Sequence, residues 1–190
     1  MKTPYLFLLL ITFFAEAQNT HWQNNYDYVD SFSDNVAIAK KNFKYGVVNY
    51  DGKELIPLKY DEIKRVDKVF FKVKKDNRYG LYSLKGEELI EPIYEDIGTF
   101  KEDIIKVKRN SRYGILNKNK YIVVPFQYDY IDELSDGLIL FKKGWKYGFL
   151  DKRGKEIIPP IYDKATPFKN RKATVTINNW EFIIEKHSWQ

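Results

Sequence analysis

The chain has 190 residues, a length typical of one globular domain, and 44% of them are hydrophobic, which is enough to form a core. It contains 32 basic and 26 acidic residues, and this formal net charge of +6 indicates a mild preference for anionic partners. The absence of cysteine excludes disulfides, thiolate metal sites and a lipid-anchored secretory precursor.

The N-terminal residues 1–17 have the pattern of a signal peptide. Lys2 supplies a positive charge, residues 5–14 form an apolar run, and Ala15-Glu16-Ala17 provides a small-x-small cleavage site. The alternative is an uncleaved membrane anchor, but the run is shorter than the roughly 20 residues of a membrane-spanning helix. We therefore expect cleavage near Ala17 and export to the periplasm, the cell surface or the medium. Residues 18–25 form a polar lead-in, and the later apolar runs are too short to span a membrane.

From Tyr26 onward the sequence repeats every 34 residues. One repeated element is a Tyr-Gly pair, and the other is a tyrosine followed by an acidic residue. The Tyr-Gly pairs are Tyr45-Gly46, Tyr79-Gly80, Tyr113-Gly114 and Tyr147-Gly148, and the Tyr-acid pairs are Tyr26-Asp27, Tyr60-Asp61, Tyr94-Glu95, Tyr128-Asp129 and Tyr162-Asp163. Such an interval is typical of stacked arrays. Residues 26–190 are therefore predicted to form one repeat domain, with units starting near each Tyr-Gly pair and partial units at both ends.

Each unit is predicted to contain three short strands. The segment after the Tyr-acid pair is interpreted as a connection with apolar anchors. An alternating strand follows, then the Tyr-Gly strand, and then a strand that proline ends, as at Pro57. Glycine occupies the second tight turn, as at Gly52, where a positive φ is expected. Lys120 takes this place in the third unit, so that turn must differ or be strained.

These features predict an all-β fold, a tandem array of three-stranded antiparallel β-meander repeats. Such a small sheet cannot bury its own face, so neighbouring units must stack. An open twisted row is the preferred arrangement. A closed propeller-like ring is the alternative, although 34 residues is short for a blade of about 40–45 residues. The last copy, which begins at Trp180, lacks the motif glycine and is predicted to cap the array.

The stretch from Trp145 to Asp163 resembles the unit of the WG-repeat family of bacterial proteins. It reads Trp-Lys-Tyr-Gly-Phe-Leu-Asp, then a Gly-Lys turn, then Ile-Ile-Pro-Pro-Ile-Tyr-Asp. The other units replace the tryptophan by Phe43, Asn77 and Ser111. The resemblance covers the chain from about residue 26 to its end. It implies a repeat array, often exported or joined to other domains, and it implies no particular activity.

Basic residues recur at three positions beside the first tight turn of each unit. One position precedes Tyr-Gly and holds Lys44, Arg78, Arg112 and Lys146; a second holds Lys40, Lys74, Lys108 and Lys142; a third holds Lys41, Lys75, Arg109 and Lys143. They could form a ridge for an anionic polymer. Two structural interpretations compete with this one. Lysines could protect a strand edge from pairing, or the residue before Tyr-Gly could pair with the repeated acid of a neighbouring unit.

The aromatic residues offer a second candidate contact. The repeated tyrosines are expected to pack between units, with each hydroxyl reaching a polar partner. Trp145 and Trp180 break the repeat and are candidates for an exposed contact, with packing in the core or cap as the preferred alternative.

No arrangement of residues predicts catalysis, a metal site or a cofactor. The histidines, His21 and His187, lie in the lead-in and the last copy. Acidic pairs such as Asp61-Glu62 include an acid that every unit repeats, which is typical of a structural residue. The sequence therefore predicts a non-enzymatic module for binding or scaffolding at the envelope or outside the cell, with an unknown protein or envelope polymer as partner. Nucleic acid is not expected because the protein is exported. The alternative is a hydrolase of envelope glycans with an unrecognised site.

Overall fold

The computed structural model describes residues 22–186. The predicted signal peptide, His21 and His187 lie outside this range. Within it the chain forms one short 3-10 helix, Trp22–Asn25, and nineteen β-strands, which confirms the all-β prediction. No helix in the described range is long and apolar enough to cross a membrane.

The strands of the described range form five separate antiparallel sheets, none of which closes into a barrel. In each sheet, strands that follow one another in sequence are hydrogen-bonded neighbours. The first sheet contains β1 (Tyr28–Val29), β2 (Val36–Lys41), β3 (Lys44–Asn49) and β4 (Glu54–Tyr60); the second β5 (Glu62–Val66), β6 (Phe70–Lys75), β7 (Arg78–Ser83) and β8 (Glu88–Tyr94); the third β9 (Asp96–Ile97), β10 (Ile104–Arg109), β11 (Arg112–Asn117) and β12 (Ile122–Tyr128); the fourth β13 (Tyr130–Ile131), β14 (Leu138–Lys143), β15 (Lys146–Asp151) and β16 (Glu156–Tyr162); and the fifth β17 (Lys164–Ala165), β18 (Lys172–Ile177) and β19 (Trp180–Glu185).

Each sheet begins with a short strand that the sequence did not predict. It lies just after the Tyr-acid pair, in the segment interpreted as a connection, so that interpretation was wrong. In the first sheet, Tyr28 pairs with Lys40 and Val29 with Ala39. The Asp27 N–H also donates to the Lys40 carbonyl over 2.8 Å. In four sheets this strand has only two residues, and alternation needs at least four. The remaining one of these strands, β5, is longer, but Arg65 stands where alternation would place an apolar residue.

The last strand of the first four sheets continues beyond proline, contrary to the prediction. In the first sheet, Tyr45 pairs with Tyr60 but Val47 pairs with Ile56, so β4 carries two extra residues between these pairs. Pro57 lies in this bulge, on the outer strand of its sheet. A proline is tolerated there because no neighbouring strand needs its missing N–H. The same register shift recurs in the next three sheets.

The hydrophobic core lies between consecutive sheets. Phe71 and Val73 of the second sheet pack with Ile56 and Tyr60 of the first. The Tyr60 hydroxyl lies 2.7 Å from that of Tyr82, so this buried tyrosine has the polar partner expected for it. Equivalent clusters join the later sheets. Among residues 22–186, every extensive contact between sheets joins consecutive sheets, as expected for a tandem array.

The N-terminal segment covers the free face of the first sheet. Trp22 and Tyr26 pack against the buried side chains of Ala37, Ala39 and Val48. The two alanines leave room for the large rings above them. This face of the array is therefore closed by aromatic residues of the chain itself.

The fifth sheet differs from the others in β19, its outer strand. Val175 of β18 pairs with Phe182 of β19, just as Phe141 pairs with Gly148 in the fourth sheet. Phe182 therefore stands in the place of the motif glycine, and Trp180 corresponds to Lys146 rather than to Trp145. The sequence alignment of this copy was wrong by one residue, although the loss of the glycine is real.

Candidate functional site on the hairpin edge

The first tight turn of each sheet connects its two long central strands. Asn42 and Phe43 both have positive φ, and so do the turn residues of the second, third and fifth sheets. Two-residue turns of this kind favour Asn and Asp at their first position. We call the five turns and their flanking strand ends the hairpin edge. It comprises residues 40–44, 74–78, 108–112, 142–146 and 176–180.

The repeated acid holds the turn of its own sheet. Asp61 Oδ2 accepts a hydrogen bond from the Asp76 N–H over 2.8 Å. Asp129 accepts one from the Gly144 N–H over 2.6 Å. The first, third and fifth sheets repeat this contact at Asp27, Glu95 and Asp163. The acid is therefore a structural part of each unit.

The same carboxylate also binds the sheet before it. Lys44 Nζ lies 2.6 Å from Asp61 Oδ1, and Lys146 Nζ lies 2.5 Å from Asp163 Oδ1. The remaining pairs of this kind are Arg78 with Glu95 and Arg112 with Asp129. Each acid thus links the strand end of one sheet to the turn of the next. This is the pairing that the second structural interpretation predicted, and it applies to all four residues before Tyr-Gly.

These contacts lower the pKa of the acids that make them. The hydrogen bond from Lys44 is the largest cause for Asp61, followed by the N–H of Asp76. The hydrogen bond from Lys146 acts in the same way on the pKa of Asp163. For Glu95 the N–H of Ser111 is the largest cause of a lowered pKa. All three carboxylates are therefore held in the charged form that the links require.

The second basic position lies over the tyrosine of the Tyr-Gly pair. The ammonium group of this lysine is 5.1–5.7 Å from the centre of the ring in every unit. The pairs are Lys40 with Tyr45, Lys74 with Tyr79, Lys108 with Tyr113 and Lys142 with Tyr147. A ring face attracts a cation without neutralising it. These four lysines form no ion pair among residues 22–186 and add to the positive charge beside the turns.

The third basic position is the most exposed. Lys41, Lys75 and Lys143 have no acidic partner among residues 22–186, and their side chains are exposed. Arg109 lies over the ring of Phe126, 4.5 Å from its centre. Each of these four residues is the last residue of a strand that pairs with a neighbouring strand on both sides. The protection of an open strand edge, which was the first structural interpretation, therefore does not explain them.

The hairpin edge carries the net charge of the whole chain. With the five repeated acids, it contains twelve basic and six acidic residues. This excess of six equals the formal net charge of +6. The remaining basic and acidic residues therefore balance one another. A positive field concentrated along one edge attracts anions more strongly than the same charge dispersed over the surface.

The two candidate tryptophans lie at or beside this edge. Trp145 is 87% exposed at the tip of the fourth turn, and Trp180 is 72% exposed just after the fifth. Phe43 occupies the tip of the first turn and is 85% exposed. The expected packing of the tryptophans in a core or cap is therefore wrong. In contrast, Tyr60, Tyr94, Tyr128 and Tyr162 are buried between sheets, as predicted.

Within residues 22–186 no group of three or more His, Asp or Glu side chains is placed to hold a metal ion. The acidic pairs are divided between two tasks. Asp61 links two sheets, whereas Glu62 pairs with Lys64 on its own strand. Neighbouring acids therefore serve different local contacts and do not converge on one point.

A family comparison matches most of the chain. The WG containing repeat matches five successive stretches, residues 25–45, 45–79, 79–113, 113–147 and 147–179. The chain belongs to the WG containing repeat family. The four internal boundaries fall on the tyrosines of the Tyr-Gly pairs, where the 34-residue period placed the unit starts. The WG repeats here include only one unit with tryptophan at the tip of its turn, that of Trp145.

Comparison with curated proteins gives no sequence match. Among solved structures, Hsv2 from Kluyveromyces lactis is similar over 80% of this chain and 57% of its own length, with 8% identity and a TM-score of 0.46. PorZ from Porphyromonas gingivalis is similar over 87% of this chain and 26% of its own, with 10% identity and a TM-score of 0.38. The similar structures have β-propeller-like folds. The WG-repeat chain thus spans little more than half of the first protein and about a quarter of the second.

Proposed function

We propose that this WG-repeat protein is a non-enzymatic module that binds an anionic polymer of the cell envelope along its hairpin edge. The observation that carries the proposal is the concentration of the chain's net positive charge on this edge, where Lys41, Lys75 and Lys143 have no acidic partner within the described residues. The envelope is the proposed location because residues 1–17 have the pattern of a signal peptide.

The geometry favours an extended partner over a small one. The free lysines lie one on each of the first, second and fourth sheets, at the same place beside the turn. Because the repeated acids link each turn to the sheet before it, consecutive turns are held next to one another. A chain of negative charges can follow such a row and contact several units at once.

Exposed aromatic rings add a second kind of contact. Trp145 and Phe43 project from the tips of two turns on the same edge, and the ammonium groups of Lys142 and Lys40 lie 5.7 Å from their ring centres. A ring beside a cation can stack on a sugar while the cation binds its acidic group. This combination supports a charged polysaccharide as the polymer.

Salt-dependent capture tests the proposal. The full chain is incubated with immobilised anionic and neutral envelope glycans at about 50 and 200 mM salt. Because charge attraction weakens as the Debye length shortens, we expect capture by the anionic glycan alone, and less of it at higher salt. The triple variant Lys41→Gln, Lys75→Gln and Lys143→Gln should reduce this capture roughly tenfold.

A matched control is available on the opposite edge. Lys53, Lys85 and Lys155 are also exposed and lie at the second turns, so changing them to Gln removes the same charge from the far side of the sheets. Equal loss of capture in both triple variants would show that only the total charge matters. Capture on an immobilised acidic protein but on no glycan would mean that the hairpin edge binds a protein and not a polysaccharide.

A further inference from the structure

The second sheet has a cavity beside its part of the hairpin edge. It has a volume of about 180 Å³ and is lined by Glu62, Lys64, Lys72, Lys74 and Tyr79. Glu62 pairs with Lys74 and Lys64 with Lys72 across β5 and β6. Tyr79 is the cross-strand partner of Lys74 on β7. The five side chains thus share one face of three adjacent strands.

Two of the three lysines in the cavity are engaged with nearby groups. Lys64 forms an ion pair with Glu62. Lys72 Nζ donates to the Ile97 carbonyl over 2.8 Å and lies 3.7 Å from Asp96 Oδ1. These contacts fix the positions of two ammonium groups. Each retains N–H bonds that can bind a further acceptor, because an ammonium group carries three donors.

The third lysine and the tyrosine are open to a ligand. Among residues 22–186, the Lys74 ammonium has no ion pair and the Tyr79 hydroxyl makes no hydrogen bond. The ammonium groups of Lys72 and Lys74 lie 4.6 and 5.7 Å from the centre of the Tyr79 ring. In the third sheet, by contrast, the Tyr113 hydroxyl donates to Asp96 over 3.3 Å. The Tyr79 hydroxyl of the second unit therefore lacks the partner that the equivalent hydroxyl has in the third unit.

The cluster is specific to one unit. In the third unit Gly98 stands in the place of Lys64, and in the fourth unit Leu140 stands in the place of Lys72. The family repeat therefore does not require these lysines. Lys74 recurs in all four units as part of the hairpin edge, whereas Lys72 recurs only as Lys106 of the third unit.

We infer that this cavity is a subsite for one phosphate group. Three ammonium groups and a phenolic hydroxyl surround it, against one lining carboxylate, so the charge and the donors suit an anion with more than two oxygens. A carboxylate has only two acceptor oxygens, whereas phosphate has three or four. The inference rests on the proposed function, because it assigns a phosphate-bearing polymer to the same edge.

Titration with inorganic phosphate tests the subsite. The full chain is followed by isothermal calorimetry at low ionic strength, with acetate and chloride at equal ionic strength as comparisons. We expect saturable binding of phosphate and none of acetate. The variant Lys64→Gln with Lys74→Gln should weaken phosphate binding at least tenfold, and Tyr79→Phe should weaken it several-fold.

The control variant removes the same charge elsewhere. Lys85→Gln with Lys68→Gln changes two exposed lysines of the second sheet that do not line the cavity, so it should leave phosphate affinity within twofold. Equal weakening by both double variants, or no saturable phosphate binding by the unaltered chain, would overturn the subsite. Thermal unfolding of each variant shows whether the fold is kept. Tyr79→Phe, which removes one oxygen only, serves if the double variant unfolds.

A second experiment distinguishes free phosphate from the phosphate of a polymer. It also tests the subsite separately from the proposed function. Capture on a phosphate-bearing envelope polymer is compared with capture on a uronic-acid polymer. If phosphate saturates the cavity but neither polymer is captured, the subsite stands for free phosphate and the proposed function fails. If both polymers are captured equally and free phosphate does not bind, the edge stands and the subsite is wrong.

Discussion

A Cβ atom at Gly80 would lie 2.7 Å from the carbonyl oxygen of Ile90. It would also lie 2.8 Å from the nitrogen of Pro92, so backbone atoms surround it. The glycine of the Tyr-Gly pair is therefore needed because the bulge of the outer strand passes directly over it. The same approach occurs in the first, third and fourth sheets, at distances of 2.5–2.8 Å.

The first prediction concerns this contact. Gly80→Ala should lower the free energy of unfolding by about 1–3 kcal/mol, since a methyl group must displace backbone atoms. Gly98→Ala is the control, because the atom that its Cβ would meet at 2.6 Å is the Glu133 carboxylate at the end of a flexible side chain. Chemical denaturation of both variants gives the comparison. Equal losses would contradict the argument from the bulge.

The second prediction concerns the strained turn of the third sheet. Lys120 has φ +66°, close to the +81° of Gly52, and its N–H donates to Asn117 over 2.9 Å as the Gly52 N–H does to Asn49 over 3.0 Å. The turn is thus unchanged and the lysine is in the left-handed region. Lys120→Gly should raise the free energy of unfolding by about 0.5–1 kcal/mol, because the strain exceeds the entropy cost of glycine.

The neighbouring residue provides the control for this turn. Asn119 is not among the residues with positive φ. Asn119→Gly should therefore only add freedom to the unfolded chain and lower stability slightly. Denaturation of the two variants in parallel measures whether each substitution raises or lowers the free energy of unfolding. If Lys120→Gly also destabilised the protein, the turn would not be strained.

The sequence predicted the repeat, the long strands and the buried tyrosines because these features recur at a fixed interval. The first strands were missed, since four of them have only two residues and β5 does not alternate. The bulge was read as a strand end, because proline in a strand is ordinarily a stop signal. The cavity of the second sheet was missed for a different reason. Lys64 has no lysine at the equivalent positions and Lys72 has one only at Lys106, so the positions shared by all units do not reveal them.

The third prediction concerns pH. The pKa of Asp61 is lowered by hydrogen bonds from Lys44 and the Asp76 N–H, and that of Asp163 by those from Lys146 and the Asn178 N–H. A group with a lowered folded-state pKa stabilises the fold above its unfolded pKa, about 3.9 for Asp, and this stabilisation is lost as pH falls through the folded value. Unfolding free energy should therefore be level above about pH 5 and fall below about pH 4.

Two charge-matched variants test the origin of this loss. Asp61→Asn should lower stability at pH 7 and reduce the further loss on acidification, because the linked charge is already gone. Asp67→Asn removes a carboxylate that forms no hydrogen bond or ion pair among residues 22–186, so the pH profile of this variant should match that of the unaltered chain. Denaturation from pH 7 to pH 2 gives all three profiles. Identical profiles for the two variants would mean that the links between sheets do not contribute.

The fourth prediction separates exposed from buried aromatic residues. Trp145→Ala should change the free energy of unfolding by less than about 0.5 kcal/mol, since its ring is 87% exposed. Phe168→Ala should cost about 3–5 kcal/mol, because its ring is 1% exposed and packs edge-on against Phe149 at 4.9 Å. If Trp145 contacts a polysaccharide, Trp145→Ala should also weaken glycan capture at unchanged stability. Unchanged capture would restrict binding to the cations of the hairpin edge.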